Sequence, residues 1–325
     1  MIVTTVDYHT AGEPFRIVTG GIRPIPGGTM LEKRRYAQEH LDSVRQLLVN
    51  EPRGHADMYG CFVTDPVDEG AQLGVVFFHN AGYSTACGHG TIALATAALE
   101  TGMLPVREPE TELVFDVPSG RLPVVARVRN GRVEGARFTN VPAFVVAEGL
   151  RVGEHDVDVA FGGAFYASVE APGLVTPAAV PDLIRLGREI KRALESERDW
   201  VHPLEPELRD VYGVIFWQGE GGEDGALRQR NVTVFADGEV DRSPCGSGTS
   251  ARLALLDRRG ELPRGETLLH ASVIGTEFEA RVVDDAEVAG VPAVVTEVAG
   301  SAHLTGVHQF VLERDDSLGT GFLLR

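Results

Sequence analysis

The sequence predicts an α/β protein built from two equivalent halves. Strand-like and helix-like segments alternate along 325 residues, a length typical of about two domains. A seven-residue motif also occurs twice, about half the chain apart, as Cys87-Gly-His-Gly-Thr-Ile-Ala93 and as Cys245-Gly-Ser-Gly-Thr-Ser-Ala251. Each copy follows a loop and opens a helix, so a duplicated α/β unit explains both observations.

A second, weaker repeat lies upstream of each cysteine motif. Each copy of this weaker repeat contains an aspartate, a glycine turn and a strand that starts with an aromatic residue. These residues are Asp7, Gly12 and Phe15 in the first half, and Asp158, Gly163 and Phe165 in the second. In the first half, β-branched and aromatic runs predict strands over 1–10, 14–21, 57–64, 73–79, 113–117, 121–128 and 133–141. Apolar positions at helical spacing predict one helix over 30–49 and a second over 91–100, which ends at Gly102.

The second half repeats these elements. The segment 158–170 is typical of a strand, a turn and a strand, and 181–198 is a predicted helix that begins with proline. Strands are predicted over 211–218 and 229–237, with an exposed acidic loop over 219–225 near their junction. A helix over 249–258 follows, and then strands over 266–275, 278–283 and 293–313.

Composition excludes several classes of partner. Asp plus Glu number 47 against 30 Lys plus Arg, a net charge of −17, which argues against nucleic acid and anionic membranes as partners. The first residues lack a basic n-region, and no run of 18 apolar residues occurs, so neither a signal peptide nor a membrane span is expected. The cysteines Cys61, Cys87 and Cys245 form no CxxC pair, which favours free thiols in the cytoplasm. Cys61 lies in an apolar strand and is expected in the core.

The repeated motif has a clear chemical content. Its glycines let the backbone approach a ligand closely, and the N–H groups at a helix start favour a carboxylate or phosphate. The same helix dipole is expected to lower the pKa of the cysteine and to support a thiolate. Two copies therefore predict two reactive thiols, Cys87 and Cys245, around one small anion.

A pair of thiols suits inversion of a carbon next to a carboxylate. One thiolate removes the proton and the other thiol returns one to the opposite face. His89 either contacts the substrate or caps its helix, and Asp241 either holds a protonated amine or forms a turn or an ion pair with Arg242. Neither a phosphate loop nor a zinc site is expected, because no lysine follows the glycines and no further ligands have metal spacing.

At these residues the sequence resembles the proline racemase family. The matching segments are Asp7-Tyr-His-Thr-Ala-Gly-Glu-Pro14, Glu51-Pro-Arg-Gly-His55, Asp57-Met-Tyr-Gly60, Asn80-Ala-Gly-Tyr83, Cys87-Gly-His-Gly90, Ala160-Phe-Gly-Gly163, Asp241-Arg-Ser-Pro-Cys-Gly-Ser-Gly-Thr249 and Gly321-Phe-Leu-Leu324. The resemblance implies a diaminopimelate-epimerase-like fold of two pseudo-symmetric α/β halves, with the active site in the cleft between them. The halves are expected at 1–142 plus 308–325 and at 143–307. The resemblance implies a homodimer, and it implies neither a cofactor nor a metal.

The resemblance also assigns roles to single residues. Cys87 and Cys245 are implied as the two acid/bases, and His89 and Asp241 as contacts of the ring nitrogen. The resemblance also implies that the substrate carboxylate is held by the backbone N–H groups of Gly88, His89, Gly246 and Ser247. Three positions that tune substrate choice in the family correspond to Tyr59, Leu208 and Phe235.

The subfamily signals conflict. Cysteine at both acid/base positions is the pattern of racemases and 2-epimerases, whereas dehydratases of trans-3-hydroxy-L-proline typically carry threonine where this chain has Cys245. Segments 57–60, 162–166 and 234–237 nevertheless resemble the dehydratase branch. We therefore predict a cofactor-independent racemase or 2-epimerase of proline or hydroxyproline, with the dehydratase as the first alternative. An alternative of another class is a non-catalytic protein that binds imino acids.

Overall fold

A computed structural model of the protein describes residues 1–221 and 226–324. The chain divides into two compact units, Met1–Ala136 with Ser301–Arg325, and Arg137–Gly300. The boundaries that the resemblance implied lie a few residues later in the chain, and they stay a prediction. Residues 222–225 of the predicted acidic loop over 219–225 lie outside the described residues, and Gly219 belongs to a strand.

The first unit begins with a β-hairpin and ends with a returning strand. Its elements are β1 (Ile2–Thr10), β2 (Glu13–Gly20), α1 (Met30–His40), α2 (Asp42–Val49), β3 (Tyr59–Thr64), β4 (Leu73–His79), β5 (Gly82–Tyr83), α3 (Gly88–Glu100), β6 (Glu110–Val117), β7 (Gly120–Arg129), β8 (Arg132–Thr139), which crosses the boundary, and β18 (Ala302–Val311). Ala11 and Gly12 have φ values of 51° and 91°, the left-handed conformation of a two-residue hairpin turn.

The second unit repeats this series of elements. They are β9 (Phe144–Val152), β10 (His155–Phe161), β11 (Phe165–Glu170), a short 3-10 helix (Pro177–Ala179), α4 (Val180–Glu197), β12 (Val211–Glu220), β13 (Leu227–Phe235), β14 (Glu239–Asp241), α5 (Gly246–Arg258), β15 (Leu268–Ser272), β16 (Glu277–Val288) and β17 (Val291–Gly300). Strands β5, β9 and β14 were missed in the sequence, because β5 and β14 are short and β9 is half-exposed.

Strand pairing confirms the two equivalent halves. In the first unit β1–β2 is antiparallel, β2–β3 parallel, β3–β4 antiparallel and β4–β6 parallel. In the second unit β10–β11, β11–β12, β12–β13 and β13–β15 follow the same succession. The short strands β5 and β14 pair with β4 and β13, and each leads into the helix that carries a cysteine motif.

The single helix predicted over 30–49 is wrong. The chain leaves helical geometry at Leu41, which has φ −120° and ψ 8° and ends α1. Asp42 then opens α2 and accepts hydrogen bonds from Arg45 at 2.6 Å and from Gln46 at 2.7 Å. The break directs the buried Arg45 guanidinium onto the carbonyls of His79 and Asn80, where β4 ends. A periodic apolar pattern does not show such a change of direction.

Helices α3 and α5 are the buried centres of their units. Every residue of α3 from Gly88 to Leu99 is buried, and the helix packs against β1, β2, β7 and β18. Helix α5 is buried from Gly246 to Leu256 and packs against β9, β10, β11, β16 and β17. A helix with no solvent-facing side is held by its whole surface. Its N-terminus, with the cysteine motif, is therefore rigidly positioned.

Candidate active site

Cys87 is the N-cap of α3. Its backbone is extended, with φ −156°, and the N–H of Gly90 donates to its Sγ at 3.3 Å. The Thr91 hydroxyl donates to the carbonyl of Cys87 at 2.8 Å. Gly90 must be a glycine, because a Cβ there would lie 2.4 Å from the Phe15 ring and 2.7 Å from the Cys87 sulfur. The motif thus places the Cys87 thiol in contact with the N-terminus of α3.

The His89 ring contacts the Cys87 thiol. Its Nε2 and Nδ1 lie 3.5 and 3.6 Å from the sulfur, and the ring stands edge-on to Tyr59 and Phe15. Burial lowers the pKa of His89 to about 3, so the ring is neutral at physiological pH. The Thr10 hydroxyl donates to the His89 carbonyl at 2.9 Å. The predicted contact of His89 with a ring nitrogen of the substrate stays a prediction.

Tyr59 belongs to the same cluster as Cys87 and His89. It is the first residue of β3, it is buried, and its hydroxyl donates to Ser84 Oγ. Its ring centroid lies 5.0 Å from that of His89. The structure therefore joins three of the predicted site residues within the first unit.

Cys245 is the N-cap of α5, in a different backbone conformation from Cys87. Its φ is 63°, in the left-handed region that few non-glycine residues adopt. Gly248 follows the same steric rule as Gly90, since a Cβ there would lie 2.9 Å from the Cys245 sulfur. The two motifs share their glycine spacing and differ in how the cysteine enters the helix.

A buried polar network holds the chain just before Cys245. Asn231 donates to the Pro244 carbonyl at 3.1 Å, and so does the Thr249 hydroxyl at 3.1 Å. His270 lies between them, with Nε2 2.8 Å from the Asn231 amide and Nδ1 2.8 Å from Thr249 Oγ1. Burial lowers the pKa of His270 to about 3. The neutral ring therefore donates from Nδ1 to Thr249 and accepts from Asn231 at Nε2.

Asp241 forms a turn beside Cys245. Its Oδ1 accepts hydrogen bonds from the backbone N–H and the hydroxyl of Ser243, at 2.8 and 2.7 Å. Burial raises the pKa of Asp241 to about 6, against the hydrogen bonds from Ser243 and Cys245 and the charge of Arg242. The turn-forming alternative is confirmed, whereas the contact with a protonated amine stays a prediction.

The expected lowering of the thiol pKa is wrong for Cys245. Burial raises its pKa to about 12, and the charge of Asp241 acts in the same direction. The N–H of Gly248 and the side chains of Tyr166 and Thr233 oppose this rise. Desolvation outweighs the helix terminus, because a thiolate at this buried position would lose almost all of its hydration. Cys245 is therefore a thiol at neutral pH, the form that a general acid requires.

Tyr166 was missed by the sequence analysis. Its hydroxyl lies 2.7 Å from Ser247 Oγ and 3.7 Å from the Cys245 sulfur, and its ring is buried. Phe235 joins this group through Tyr212, which stacks on Phe235 at 5.6 Å and stands edge-on to Tyr166 at 5.8 Å. The weak repeat paired Phe15 with Phe165, whereas the same distance of three residues from the turn glycine pairs Phe15 with Tyr166.

Leu208 lies apart from these hydrogen bonds. It is buried in the segment between α4 and β12, where its N–H donates to Glu205 and its carbonyl accepts from His202. Cys61 is fully buried in β3, as predicted, and burial raises its pKa well above the usual range. The predicted anion donors Gly88, His89, Gly246 and Ser247 are the first residues of α3 and α5, where N–H groups point out of a helix.

Neither a metal cluster nor a membrane-spanning helix occurs within residues 1–221 and 226–324. In that part of the chain, no three His, Cys, Asp or Glu side chains gather as a group able to hold a metal ion. No helix among the same residues is long and apolar enough to cross a membrane.

Comparison with known proteins identifies the family. The model of the family described as proline racemase matches residues 5–323. A trans-3-hydroxy-L-proline dehydratase of Bacillus thuringiensis subsp. konkukian is 46% identical over 330 residues, 99% of this chain and 98% of that protein. A 3-hydroxyproline 2-epimerase of Burkholderia multivorans is 44% identical over 331 residues, with the same shares covered.

A solved structure agrees with these sequence matches. The crystal structure of a hydroxyproline epimerase from Agrobacterium vitis, with bound trans-4-OH-L-proline, superimposes with a TM-score of 0.91. It is 32% identical in sequence, and the match covers 99% of this chain and 96% of that one. The likeness confirms the predicted epimerase-like fold. The chain belongs to the proline racemase family of enzymes.

Proposed function

We propose that this enzyme is a 2-epimerase of proline-type imino acids, with Cys87 and Cys245 as its two acid/base groups. The observation that carries the proposal is the duplicated N-cap: each unit places one thiol at the buried N-terminus of its central helix. Retention of a thiol at both positions supports epimerisation over dehydration, since dehydration needs one deprotonation and no return of a proton to Cα.

The proposed reaction moves two protons and no other atom. A thiolate at one cysteine takes the proton from Cα, and the electron pair passes into the carboxylate as an enediolate. The thiol at the other cysteine then gives a proton to the opposite face of Cα. The enzyme ends with the protonation states of Cys87 and Cys245 exchanged, ready for the reverse reaction, and proton exchange with solvent resets it. This mechanism requires both thiols to reach one substrate.

The surrounding groups support binding of a zwitterion. Helix N-termini stabilise the substrate carboxylate and the enediolate charge that develops from it. Asp241, with a pKa of about 6, is ionised at neutral pH and is suited to a ring ammonium. The ammonium would in turn stabilise a nearby thiolate, which is how the raised pKa of Cys245 becomes compatible with catalysis.

We infer that the substrate is a 3-hydroxyproline. Tyr59, Leu208 and Phe235, at the specificity positions that the family resemblance implies, are buried and mostly apolar. Such a lining suits proline or a 3-hydroxyl better than recognition of a 4-hydroxyl. The relatives named for 3-hydroxyproline, an epimerase and a dehydratase, are those quoted above at 44% and 46% identity. The second candidate function is therefore dehydration of trans-3-hydroxy-L-proline to Δ1-pyrroline-2-carboxylate.

Proton NMR in D2O tests the reaction and the substrate together. The reduced enzyme is incubated separately with L-proline, trans-4-hydroxy-L-proline and trans-3-hydroxy-L-proline. We expect loss of the α-proton signal and the appearance of an epimer's signals for the 3-hydroxy compound. Cys87→Ala and Cys245→Ala should each lower this rate by about a thousandfold, in line with loss of an acid/base group. Cys61→Ala, the matched control, should retain the rate.

Each alternative has a distinct result. A pyrroline product without an epimer, retained by Cys245→Ser, would assign the dehydratase and overturn the two-thiol proposal. Binding without any α-proton exchange would favour a non-catalytic imino-acid-binding protein.

We also propose that the enzyme is a homodimer in the cytoplasm. The family resemblance implies a dimer, and β18 exposes apolar side chains of Leu304, Val307 and Val311 that a partner would cover. The three free cysteines are consistent with a reducing compartment. Light scattering coupled to gel filtration should give twice the chain mass, and a single-chain mass would refute the dimer.

A further inference from the structure

The two cysteine motifs have different partners at equivalent positions. Phe15 and Tyr166 occupy the same place in the hairpins β1–β2 and β10–β11, each following its turn glycine by three residues. His89 and Ser247 occupy the same place in the motifs, two residues after the cysteine. In the first unit the aromatic ring packs edge-on against His89. In the second unit it carries a hydroxyl, which is hydrogen-bonded to Ser247 at 2.7 Å.

This hydroxyl reaches the sulfur of Cys245. The Sγ–Oη distance is 3.7 Å, within the range of a sulfur hydrogen bond. Tyr166 is 1% exposed and Cys245 is 6% exposed, so water contributes little to either group. The thiol, the phenol and the Ser247 hydroxyl therefore form a short buried chain of three groups, each able to donate and to accept.

Such a chain has two complementary hydrogen-bond arrangements. While Cys245 is a thiol, its S–H lies within reach of both Tyr166 Oη and the Asp241 carboxylate, and the Tyr166 O–H donates to Ser247 Oγ. Once Cys245 is a thiolate, rotation of the two hydroxyls lets Tyr166 donate to the sulfur and Ser247 donate to Tyr166. No proton leaves an oxygen in this rearrangement. Burial holds the pKa of Tyr166 well above its usual value, which keeps the phenol protonated throughout.

We propose that Tyr166 is a catalytic residue that hydrogen-bonds Cys245 in both of its protonation states, with Ser247 as the partner that reverses its donor role. The inference rests on the proposed function of Cys245 as an acid/base. It makes the two thiols chemically distinct: Cys87 contacts a neutral imidazole and the Gly90 N–H, whereas Cys245 contacts the Tyr166 hydroxyl as well as the Gly248 N–H and the Thr233 side chain. Loss of the Tyr166 hydroxyl should therefore weaken the thiolate of Cys245 and leave that of Cys87 unaffected.

Tyr166→Phe tests the inference with Cys87 as an internal reference. Phe15 shows that the fold accommodates a phenylalanine at the equivalent position. We expect alkylation of Cys245 by iodoacetamide at a fixed pH to fall by about tenfold or more, the usual worth of a hydrogen bond to a charged group. Peptide mass spectrometry should show unchanged alkylation of Cys87 in the same sample. Epimerisation should slow by a similar factor.

Tyr83→Phe is the matched control, because it also removes a buried hydroxyl, one that donates to the Ala37 carbonyl at 2.9 Å. It should leave both alkylation rates unchanged. An unchanged rate for Cys245 in folded Tyr166→Phe would overturn the inference, as would an equal fall for both cysteines.

Ser247→Ala gives a second, oppositely signed test in case Tyr166→Phe does not fold. It removes the acceptor of the Tyr166 hydroxyl in the thiol state, where a buried donor would then be unsatisfied, while the bond from Tyr166 to the thiolate remains. Alkylation of Cys245 should therefore rise, and a fall would overturn the inference. Undiminished epimerisation by Cys245→Ala would instead refute the proposed function, which the alkylation rates do not report.

Discussion

At the scale of single residues, Asp241 and Cys245 share one desolvated environment. Burial raises the pKa of both groups, the charge of Asp241 raises that of Cys245 further, and the hydrogen bond from Cys245 partly opposes the rise at Asp241. Burial disfavours this carboxylate more than the hydrogen bonds from Ser243 and Cys245 and the charge of Arg242 favour it, so the arrangement costs stability and is typical of a functional site. A substrate ammonium would offset it at the moment of binding.

This cost predicts that Asp241→Asn stabilises the protein at neutral pH. The pKa of Asp241 is about 6 in the folded protein and near 3.8 when unfolded, so folding is favoured while the group is protonated and loses free energy as pH rises from about 4 to 6. Two pKa units correspond to about 3 kcal/mol, an upper bound for the gain at pH 7. Asparagine keeps the Oδ1 acceptor for Ser243. Urea unfolding at pH 7 and pH 4 should show a gain at pH 7 that disappears at pH 4.

Asp7→Asn is the control with the opposite sign. Asp7 is also buried, but it forms an ion pair with Arg16 at 2.7 Å, and its loss leaves that guanidinium without its carboxylate. This variant should be destabilised at pH 7 by about 3 kcal/mol or more. A loss of stability in Asp241→Asn comparable to that of Asp7→Asn would contradict the account of Asp241.

At the scale of elements, the third residue after each cysteine decides whether the sulfur has room beside the helix N-terminus. Gly90→Ala places a Cβ 2.4 Å from the Phe15 ring, and Gly248→Ala places one 2.9 Å from the Cys245 sulfur. Helices α3 and α5 are packed on all sides, so neither can shift to relieve the clash with the added Cβ. We expect Gly90→Ala to cost about 2–3 kcal/mol of stability as an overpacked core substitution, and both variants to lose most activity.

Gly219→Ala is the matched control for these two substitutions. Gly219 lies in β12 and is exposed, and a methyl group added there would have no other atom within 4 Å. The melting temperature and activity of this variant should match those of the unchanged protein. Normal activity of Gly248→Ala would show that the Cys245 sulfur does not need its present position.

At the scale of the whole molecule, each unit buries a neutral histidine next to its cysteine motif. Burial lowers the pKa of His89 and of His270 to about 3. An unfolded histidine binds a proton below about pH 6.5, so each buried ring favours the folded state above that pH and loses this contribution as the pH falls toward 3. Acid should therefore destabilise both units.

His270→Gln should reduce this acid sensitivity. Between pH 7 and pH 5 a buried neutral histidine loses about 2 kcal/mol of stabilisation, a loss that glutamine does not incur because it has no titrating group. At pH 7 the variant should be less stable than the unchanged protein, since its amide cannot reproduce both ring contacts with Asn231 and Thr249. The measurement is the dependence of the free energy of unfolding on pH, compared between the variant and the unchanged protein. The exposed His40→Gln variant controls for the substitution, and equal slopes in all three proteins would refute the prediction.

Much of the architecture was readable from local patterns. The repeated Cys-Gly-x-Gly-Thr motif predicted two equivalent halves, because the same backbone path needs the same glycines at the same spacing. Alternating apolar runs located most strands, and the buried helices α3 and α5 were recognisable from their alanine and leucine content. The break at Leu41 could not be recognised from the sequence, because helical periodicity continues through 30–49 while Arg45 turns toward β4.

The chemistry at the thiols divides in the same way. The identity of Cys87 and Cys245 follows from the chain alone, because helix N-termini, glycines and sulfur are local properties of one short segment. Three other properties of the site do not follow from the chain alone: the protonation of Cys245, the neutral state of His89 and the contact of Cys245 with Tyr166. Each depends on how much water and which distant side chains surround the group. Strands β2 and β3 bring those neighbours to His89, and β11, β13 and β14 bring them to Cys245, only in the folded units. A pKa is set by three-dimensional surroundings, whereas a motif is set by adjacency in the chain.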